Sequence, residues 1–262
     1  MEIAQISDLH ICAAGDTFGV APMAKNLRRV VADLNANQPD MVLVSGDIAN
    51  SAERAETERA AGELAMLKMP YFITPGNHDD RSILRSVFGQ KPLPAREKNH
   101  LSYTLFADPY LIIALDSTDP DAPNGRICAE RLGWLSNQLE AAPNQQTLLF
   151  MHHPPMKCGA PESDNPPLEG AAALGALVAK HSQIERILCG HIHLMVQTLW
   201  QGCLVSTAPS LGMRLRWRPN GYSDSKFFAS APAYLWHMQN DDGELITHTV
   251  TLDSPAGPYE FE

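Results

Sequence analysis

The sequence is poor in cysteine, with five residues in a chain of 262. Their number is odd, their spacing is wide, and no CxxC pair occurs. These features argue against a disulfide framework and against a zinc site built from thiolates, because both need paired cysteines. They suit a reducing compartment, and each cysteine is expected to be a small, partly buried side chain.

Long apolar runs are also missing. No stretch of about 18 apolar residues occurs, so we expect no membrane span. The first ten residues, MEIAQISDLH, lack the basic and apolar regions of a signal peptide, which predicts a cytoplasmic protein. The sequence contains no internal repeat and no low-complexity segment.

Positive charge is scarce, with 20 Lys and Arg against 30 Asp and Glu and a formal net charge of -10. This balance argues against a nuclease or another partner of long nucleic acid, because such proteins carry a basic surface. The GxSxG pattern of serine hydrolases is absent as well. An acidic protein that acts on an anionic substrate needs a local source of positive charge, and bound metal ions are one such source.

Strand and helix patterns alternate along most of the chain, which predicts βαβ units and an α/β fold with mostly parallel strands. The predicted strands are residues 2–7, 41–44, 69–73, 101–106, 110–115, 147–151, 184–189, 195–200, 203–206, 234–239 and 245–252. The predicted helices are residues 22–35, 53–68, 129–141 and 169–180.

Residues 208–232 break this alternation and are predicted to form a long loop, which in a compact chain usually has a function. The loop contains Arg214, Arg216 and Trp217. These side chains suit a lid over an anionic, partly aromatic substrate, and they equally suit a contact between subunits. We therefore expect a core at residues 1–207 and an extension at 208–262, in which the loop and the closing strands complete the core.

Five predicted strands are each followed by Asp, His or Asn. The segments are Asp8-Leu9-His10, Ser45-Gly46-Asp47, Gly76-Asn77-His78, His152-His153-Pro154 and Gly190-His191-Ile192-His193. In open α/β sheets, ligands bind at the carboxyl ends of the strands. Asp8 and His10 are two residues apart, as are His191 and His193, and alternation along a strand would turn each pair toward one ion.

Seven of these side chains are candidate metal ligands: Asp8, His10, Asp47, Asn77, His152, His191 and His193. Their oxygen and nitrogen atoms suit manganese, iron, zinc or cobalt. Seven ligands are too many for one catalytic ion with an open position, and they fit two divalent ions that share a bridging carboxylate. Two such ions clamp the attacking and leaving oxygens of a phosphoryl displacement, and a water between them becomes the hydroxide that attacks phosphorus.

The ordered set DxH, GD, GNHD, HH and GHxH resembles the calcineurin-like metallophosphoesterases, in particular bacterial class III cyclic-nucleotide phosphodiesterases and glycerophosphodiesterases. It runs from ISDLH at residues 6–10 to GHIH at 190–193. HMQNDDGELITHTV at 237–250 and GPYEF at 257–261 are similar to the end of the glycerophosphodiesterase type. The resemblance implies a four-layer α-β-β-α sandwich of two mixed sheets with a small C-terminal extension, and a homo-oligomer that is at least a dimer.

The resemblance also implies a division of the ligands. Asp8, His10 and His193 would hold the first metal, Asn77, His152 and His191 the second, and Asp47 would bridge them. His78 would be an acid near the leaving oxygen or the substrate phosphate, which makes His78 and Asp47 the candidate catalytic residues. Of the adjacent His152 and His153, the family pattern favours His152, and strand alternation allows only one of them to face the metals.

The candidate substrate contacts are Asn77, His78, Ser117 and Arg214, of which Ser117 is chosen only because it follows another strand. Asp79 is expected to orient an imidazole, as carboxylates behind metal ligands often do. Asp80 is expected to be the N-terminal acid of a helix. Arg81 is expected to lie at the surface.

These residues predict a metal-dependent phosphodiesterase for small phosphodiesters, either cyclic nucleotides such as 3',5'-cAMP, or glycerophosphodiesters, or both. The ligand set is the same for monoesters, so a phosphomonoesterase of the same superfamily stays open. A metal-binding scaffold without catalysis is the third alternative. It is disfavoured because related scaffolds lack a ligand or the catalytic histidine, whereas here Asp47 and His78 are both in place.

Overall fold

The computed structural model describes residues 1–15, 17–219 and 226–253. The strands are β1 (Glu2–Ile6), β2 (Met41–Ser45), β3 (Tyr71–Thr74), β4 (Tyr103–Ala107), β5 (Tyr110–Ala114), β6 (Thr147–Phe150), β7 (Ile184–Cys189), β8 (Gln197–Trp200), β9 (Cys203–Thr207), β10 (Met213–Leu215), β11 (Phe227–Ala229), β12 (Ala233–Gln239) and β13 (Leu245–Thr251). The helices are α1 (Met23–Asn37), α2 (Arg54–Leu64), α3 (Arg81–Phe88), α4 (Ala129–Ala141), α5 (Pro161–Asp164) and α6 (Ala171–Val178).

The strands form two mixed sheets and a separate hairpin. The first sheet has the order β13-β12-β1-β2-β3, with β1, β2 and β3 parallel and β12 antiparallel to β1. The second has the order β4-β5-β6-β7-β9-β8, in which β5, β6, β7 and β9 are parallel. The predicted α/β fold with two mixed sheets is therefore confirmed. The hairpin is β10-β11.

Alternation along the strands of the second sheet produces the layers. Ile112 and Ala114 on β5 pack into the core shared with the first sheet and its helices α1, α2 and α3. Ile113, between them, packs on the other side with Leu135 of α4 and Leu174 of α6. Because both faces of these strands are buried, their side chains are apolar on both faces. Their sequences are therefore continuous apolar runs and do not alternate between apolar and polar residues.

Helix α3 is the shortest of those covering the first sheet, and its start is set by one side chain. The Asp80 carboxylate accepts a hydrogen bond of 2.8 Å from the backbone N–H of Ile83. Such a cap satisfies one of the free amides of the first turn. The predicted role of Asp80 is confirmed, and the cap fixes where the loop that carries Asn77 and His78 must end.

Other boundaries differ from the prediction. Residues 208–219 and 226–232 are not all irregular, because they contain the β10-β11 hairpin, whose strands of three residues each are too short for a periodic signal. Helix α2 ends at Leu64 rather than at 68, and the backbone N–H of Lys68 donates to the side chain of Asn35 on α1 instead of continuing the helix. The segment GPYEF at residues 257–261 lies outside the described residues.

Among the helices that the structure describes, none is long and apolar enough to cross a membrane.

A buried histidine on β12 contacts side chains of both neighbouring strands, β13 and β1. The Nδ1 atom of His237 lies 2.8 Å from Thr247 Oγ1, and its Nε2 atom lies 3.2 Å from Gln5 Oε1. Burial, together with the nearby positive charge of Arg186, lowers the pKa of His237 to about 3. The imidazole therefore stays neutral in the folded protein over most of the pH range.

This burial predicts a loss of stability in acid. An unfolded histidine takes up a proton below about pH 6.5, whereas His237 in the fold does not until about pH 3. Its contribution to the free energy of unfolding is thus fully present above pH 6.5 and is lost as the pH falls toward 3. Urea unfolding between pH 7 and 4 should show a shallower pH dependence for His237→Gln than for the wild type, by about one proton. The matched control is His248→Gln, because His248 is exposed. If the free energy of unfolding changes with pH equally in all three proteins, His237 is not the group that stays neutral in the fold.

Candidate metal centre

The predicted ligands come together where strands of both sheets end. One group contains Asp8, His10, Asp47 and His193, whose ligand atoms all lie within 4.8 Å of one another. The Nε2 atoms of His10 and His193 are 3.1 Å apart, and His193 Nε2 is 3.4 Å from Asp8 Oδ1. Two imidazole nitrogens, of the buried His10 and the partly exposed His193, face two buried carboxylates here, which is a donor set for a divalent cation.

A second group adjoins the first through Asp47. The Oδ1 atom of Asn77 lies 3.1 Å from His152 Nε2 and 3.1 Å from His191 Nδ1. Asp47 Oδ2 is 3.3 Å from His152 Nε2 in this group and 3.5 Å from His10 Nε2 in the first. One carboxylate oxygen therefore faces both groups, as the bridge between two ions would.

His153 also lies near His152 and His191, but its ring is engaged elsewhere. Its Nδ1 atom is 2.9 Å from the hydroxyl of Ser117, and its Nε2 atom is 3.0 Å from the carbonyl of Pro123. Neither ring nitrogen is left for an ion. In contrast, only Nδ1 of His152 is held by the backbone, at 2.8 Å from the carbonyl of Ser45, and its Nε2 atom faces the other candidate ligands Asn77 and Asp47.

Backbone carbonyls orient two of the candidate ligands. His152 Nδ1 donates to Ser45, and His193 Nδ1 donates to the carbonyl of Met213 at 2.9 Å. A proton held on Nδ1 leaves the lone pair of Nε2 for a metal. Burial lowers the pKa of His10 to about 3, which keeps its imidazole neutral. At His152 and His193 the neighbouring carboxylates of Asp47 and Asp8 outweigh burial and raise the pKa, to about 9 for His152. The residues present therefore fit bound divalent cations.

Five of the seven candidate ligands have a left-handed backbone. Their φ angles are 53° at Asp8, 42° at His10, 52° at Asp47, 77° at His191 and 54° at His193. This conformation is costly for residues with a side chain and is found mostly at functional sites. The ligands thus follow the strands instead of continuing them. The prediction that His191 and His193 converge on one ion is wrong, because they belong to different groups.

Glycines make the close approach of these loops possible. A Cβ atom on Gly76 would lie 2.8 Å from Cγ of Asp47 and would overlap its Oδ1 and backbone N. A Cβ atom on Gly190 would lie 3.0 Å from Asp8 Oδ2 and would overlap the hydroxyl of Ser7. Any side chain at either position would displace a candidate ligand.

Asp79 binds backbone rather than an imidazole, contrary to the prediction. Its carboxylate accepts hydrogen bonds from the N–H groups of Ile48 at 3.1 Å, Ala49 at 2.9 Å and Gly76 at 2.9 Å. Asp79 therefore ties the loop after β2, which carries Asp47, to the loop after β3. No sequence pattern indicates this role, because the three amides belong to two separate segments.

His78 lies between the candidate ligands and the solvent. Its backbone N–H donates to Asp47 Oδ1 at 2.9 Å, and its Nδ1 atom is 2.6 Å from the carbonyl of Asn50. Its ring meets the ring of His10 edge-on, with centroids 4.7 Å apart. Because Nδ1 is held by a carbonyl, Nε2 is the nitrogen left to exchange a proton with a substrate.

A cavity of about 290 Å³ opens over the centre. Candidate ligands and His78 form one side. The remaining lining residues are Phe18, Asn50, Ser163, Ile192, Met213, Leu215, Lys226 and Phe227. Sequence reasoning missed these residues, since Phe18 lies in an irregular loop and the others share no pattern. The alternation of β10 could have identified Met213 and Leu215 as a pair.

The predicted substrate contacts divide into two pairs. Asn77 and His78 line the cavity. Ser117 is fully buried, and its hydroxyl lies against His153, so the structure places it behind the cavity and not in its lining. Arg214 is exposed on the opposite face of β10 from Met213 and Leu215, where its guanidinium stacks on Phe228 at 5.0 Å.

Arg81 is not the surface residue that was predicted. Its side chain is 21% exposed and forms a two-point contact with the fully buried carboxylate of Asp116, at 2.6 Å from Nε and 3.2 Å from Nη2. Arg131 approaches the same carboxylate at 4.0 Å. Burial alone would raise the pKa of Asp116, but Arg81 and then Arg131 hold it below its usual value. This contact joins the start of α3 to the strand end of β5 in the second sheet.

Two mixed sheets with helices outside and paired cation-ligand groups at the strand ends define a metal-dependent phosphoesterase. Comparison with known proteins agrees. The family model for calcineurin-like phosphoesterases matches residues 1–195. The chain belongs to this family, whose members use divalent metals.

Relatives match nearly the whole chain. A probable glycerophosphodiester phosphodiesterase, GpdQ, of Arcobacter nitrofigilis is 32% identical over 100% of this chain and 97% of its own length. The 3',5'-cyclic adenosine monophosphate phosphodiesterase CpdA of Escherichia coli K12 is 28% identical over 96% of this chain and 90% of its own. A solved dimetal phosphatase from Danio rerio shares the fold, with a TM-score of 0.71, 15% identity and coverage of 96% and 99%.

Proposed function

We propose that the protein hydrolyses small phosphodiesters with the help of two divalent cations. The position of Asp47 carries this proposal, because its Oδ2 atom faces both ligand groups at 3.3 and 3.5 Å. A carboxylate between two donor sets suits a pair of ions better than one. The phosphodiesterase names of the relatives that match the whole chain support the choice of substrate class.

In this proposal the ligands divide as follows: Asp8, His10 and His193 hold one cation, Asn77, His152 and His191 hold the other, and Asp47 bridges them. Manganese, iron, zinc and cobalt all suit these nitrogen and oxygen donors. Bound cations would offset phosphate charge and lower the pKa of a water.

His78 is the proposed proton donor to the leaving oxygen. It lines the cavity beside Asn77, and the Asn50 carbonyl at 2.6 Å fixes the orientation of its ring. A departing alkoxide is a strong base, so protonation as the bond breaks lowers the barrier. Asn77 would then act twice, as a neutral oxygen ligand and as a wall of the cavity next to the phosphate.

The test compares a diester with a monoester. Protein prepared without chelator and reconstituted with manganese or zinc is assayed on bis(p-nitrophenyl) phosphate and on p-nitrophenyl phosphate, with Asp47→Ala as the blank. We expect kcat/KM for the diester to exceed that for the monoester at least about tenfold, a difference of about 1.4 kcal/mol in transition-state stabilisation.

Two other outcomes would decide for the alternatives. If only the monoester turns over, the protein is a phosphomonoesterase of the same family and the diester proposal fails. If neither reacts although metal analysis finds two ions per chain, the protein is a metal-binding scaffold. The homo-oligomer and the cytoplasmic location stay predictions, and sedimentation equilibrium of the purified protein tests the first.

A further inference from the structure

Part of the cavity lining is apolar and contains two aromatic rings, whereas Asn50, Ser163 and Lys226 are the polar lining residues outside the candidate ligands and His78. Phe18 comes from the loop after β1 and Phe227 from β11, and their ring centroids are 6.0 Å apart with an interplanar angle of 45°. Mutual backbone hydrogen bonds of 2.8 and 2.9 Å between Phe18 and Ala21 hold the first ring in place. Phe227 is paired with Leu215 across the hairpin, so both side chains share its inner face.

These rings lie at the distance where the non-reacting part of a substrate must be. The Phe18 ring centroid is 6.2 Å from that of His10, a candidate ligand. A phosphate at the ligands would therefore extend its ester group over Phe18 and Phe227. Ile192, Met213 and Leu215 complete this wall and offer no side-chain hydrogen bond.

Such a wall distinguishes between ester groups. Over the two rings, a glycerol group would bring hydroxyls against apolar side chains that cannot replace their hydrogen bonds to water. A planar ring would bury apolar surface and gain an aromatic contact. The two phenylalanine rings already touch each other, whereas a ring between them would need a separation of about 7 Å. The guest ring must therefore lie on the open side of the pair.

We propose that Phe18 and Phe227 form a platform that selects phosphodiesters carrying a planar ring, such as a nucleobase, over glycerophosphodiesters. This inference rests on the proposed function and specifies its substrate class. It assigns substrate recognition to two residues outside the set of candidate ligands.

The first test uses three substrates that differ in the ring. We compare 3',5'-cyclic AMP, the methyl riboside 3',5'-cyclic phosphate that has the same sugar phosphate without the base, and glycerophosphoethanolamine. The wild type should hydrolyse cyclic AMP with kcat/KM at least about tenfold above either of the others. Phe18→Leu and Phe227→Leu should each lower kcat/KM for cyclic AMP by roughly three- to tenfold, mainly through KM, and leave the other two substrates within about twofold.

Phe106→Leu is the matched control, because Phe106 is 64% exposed on β4 and does not line the cavity. Metal analysis of each variant checks that the ion content is unchanged. Equal rates on cyclic AMP and the methyl riboside would overturn the inference while leaving the phosphodiesterase intact. An equal loss on all three substrates in the Leu variants would also overturn it, because the rings would then support the centre and not the ring of the substrate.

Binding gives a readout that does not depend on turnover. Calorimetry should give a Kd for AMP at least about fivefold below that for ribose 5-phosphate with the metal-loaded wild type, and Phe18→Leu should reduce this ratio. If no diester is hydrolysed but AMP is still preferred, the proposed function fails and the platform stands. If AMP and ribose 5-phosphate bind with the same Kd, Phe18 and Phe227 do not select a planar ring, and this inference is overturned whichever substrate the enzyme hydrolyses.

Discussion

A Gly76→Ala protein is expected to lose at least about 100-fold in kcat/KM on a phosphodiester, because displacements of about 1 Å at a reacting centre have effects of this size. The added methyl group would overlap the carboxylate and the backbone N of Asp47, so the proposed bridging ligand has to move. The backbone of Gly76 is not left-handed, and the effect is therefore one of contact and not of strain. Activity and metal content after reconstitution are measured together, and we expect fewer than two ions per chain.

The chain offers a matched control for this substitution. Gly133 lies exposed within α4, and a Cβ atom there meets nothing within 4 Å. Gly133→Ala should leave kcat/KM unchanged and stabilise the protein by about 0.5–1 kcal/mol, since alanine is the better helix former. Gly76→Ala with two ions and wild-type activity would show that the close approach of the two loops is not needed.

An Asp116→Ala protein is expected to be less stable by about 3–5 kcal/mol, the usual effect of removing one partner from a buried ion pair. The carboxylate is fully buried, and its loss leaves the guanidinium groups of Arg81 and Arg131 without their shared counter-ion. It also accepts hydrogen bonds from the backbone N–H groups of Leu101 and Thr118 at 2.9 Å each. Equilibrium urea unfolding of the metal-loaded protein measures the change.

Glu58→Ala provides the comparison on the surface. Glu58 pairs with Arg54 at 3.3 Å on α2, and both side chains are more than half exposed, so its loss should cost no more than about 0.5 kcal/mol. The free energy of unfolding lost in Asp116→Ala could also lie within about 1 kcal/mol of that lost in Glu58→Ala. In that case the two arginines find other partners or water, and the prediction is contradicted. Because Arg81 begins α3 directly after the loop with Asn77 and His78, the Asp116 variant should also bind its metals more weakly.

The parts of the fold and of the site that depend on the order of residues along the chain could be predicted from the sequence. Continuous apolar runs marked the parallel strands, and the residues after five of them marked one edge of the sheets. The types of these residues, oxygen and nitrogen donors without thiolates, pointed to hard or borderline cations. The seven candidate ligands met in space because each sheet brings the ends of its parallel strands to one edge, and these edges of the two sheets adjoin at the site.

The features that could not be predicted from the sequence depend on local backbone conformation or on contacts between segments far apart in the chain. Strand alternation failed for His191 and His193 because the chain leaves β7 in a left-handed conformation, which no side-chain pattern reports. Asp79 was assigned to an imidazole because its true partners, amides near residue 48, are visible only when two loops are in place. Arg81 looked like a surface cation because its partner Asp116 is 35 positions away.

The place of β12 in the first sheet has a consequence for the growing chain on the ribosome. β1 emerges before the other strands that the structure describes, yet one of its two neighbours, β12, is completed only at Gln239. At typical elongation rates, roughly ten to fifty seconds separate the synthesis of the two strands. During that interval the nascent protein carries an open strand edge beside β1, which invites pairing with other chains. A message truncated before β12 would make that exposure permanent, and its product would aggregate even though every candidate metal ligand had been translated.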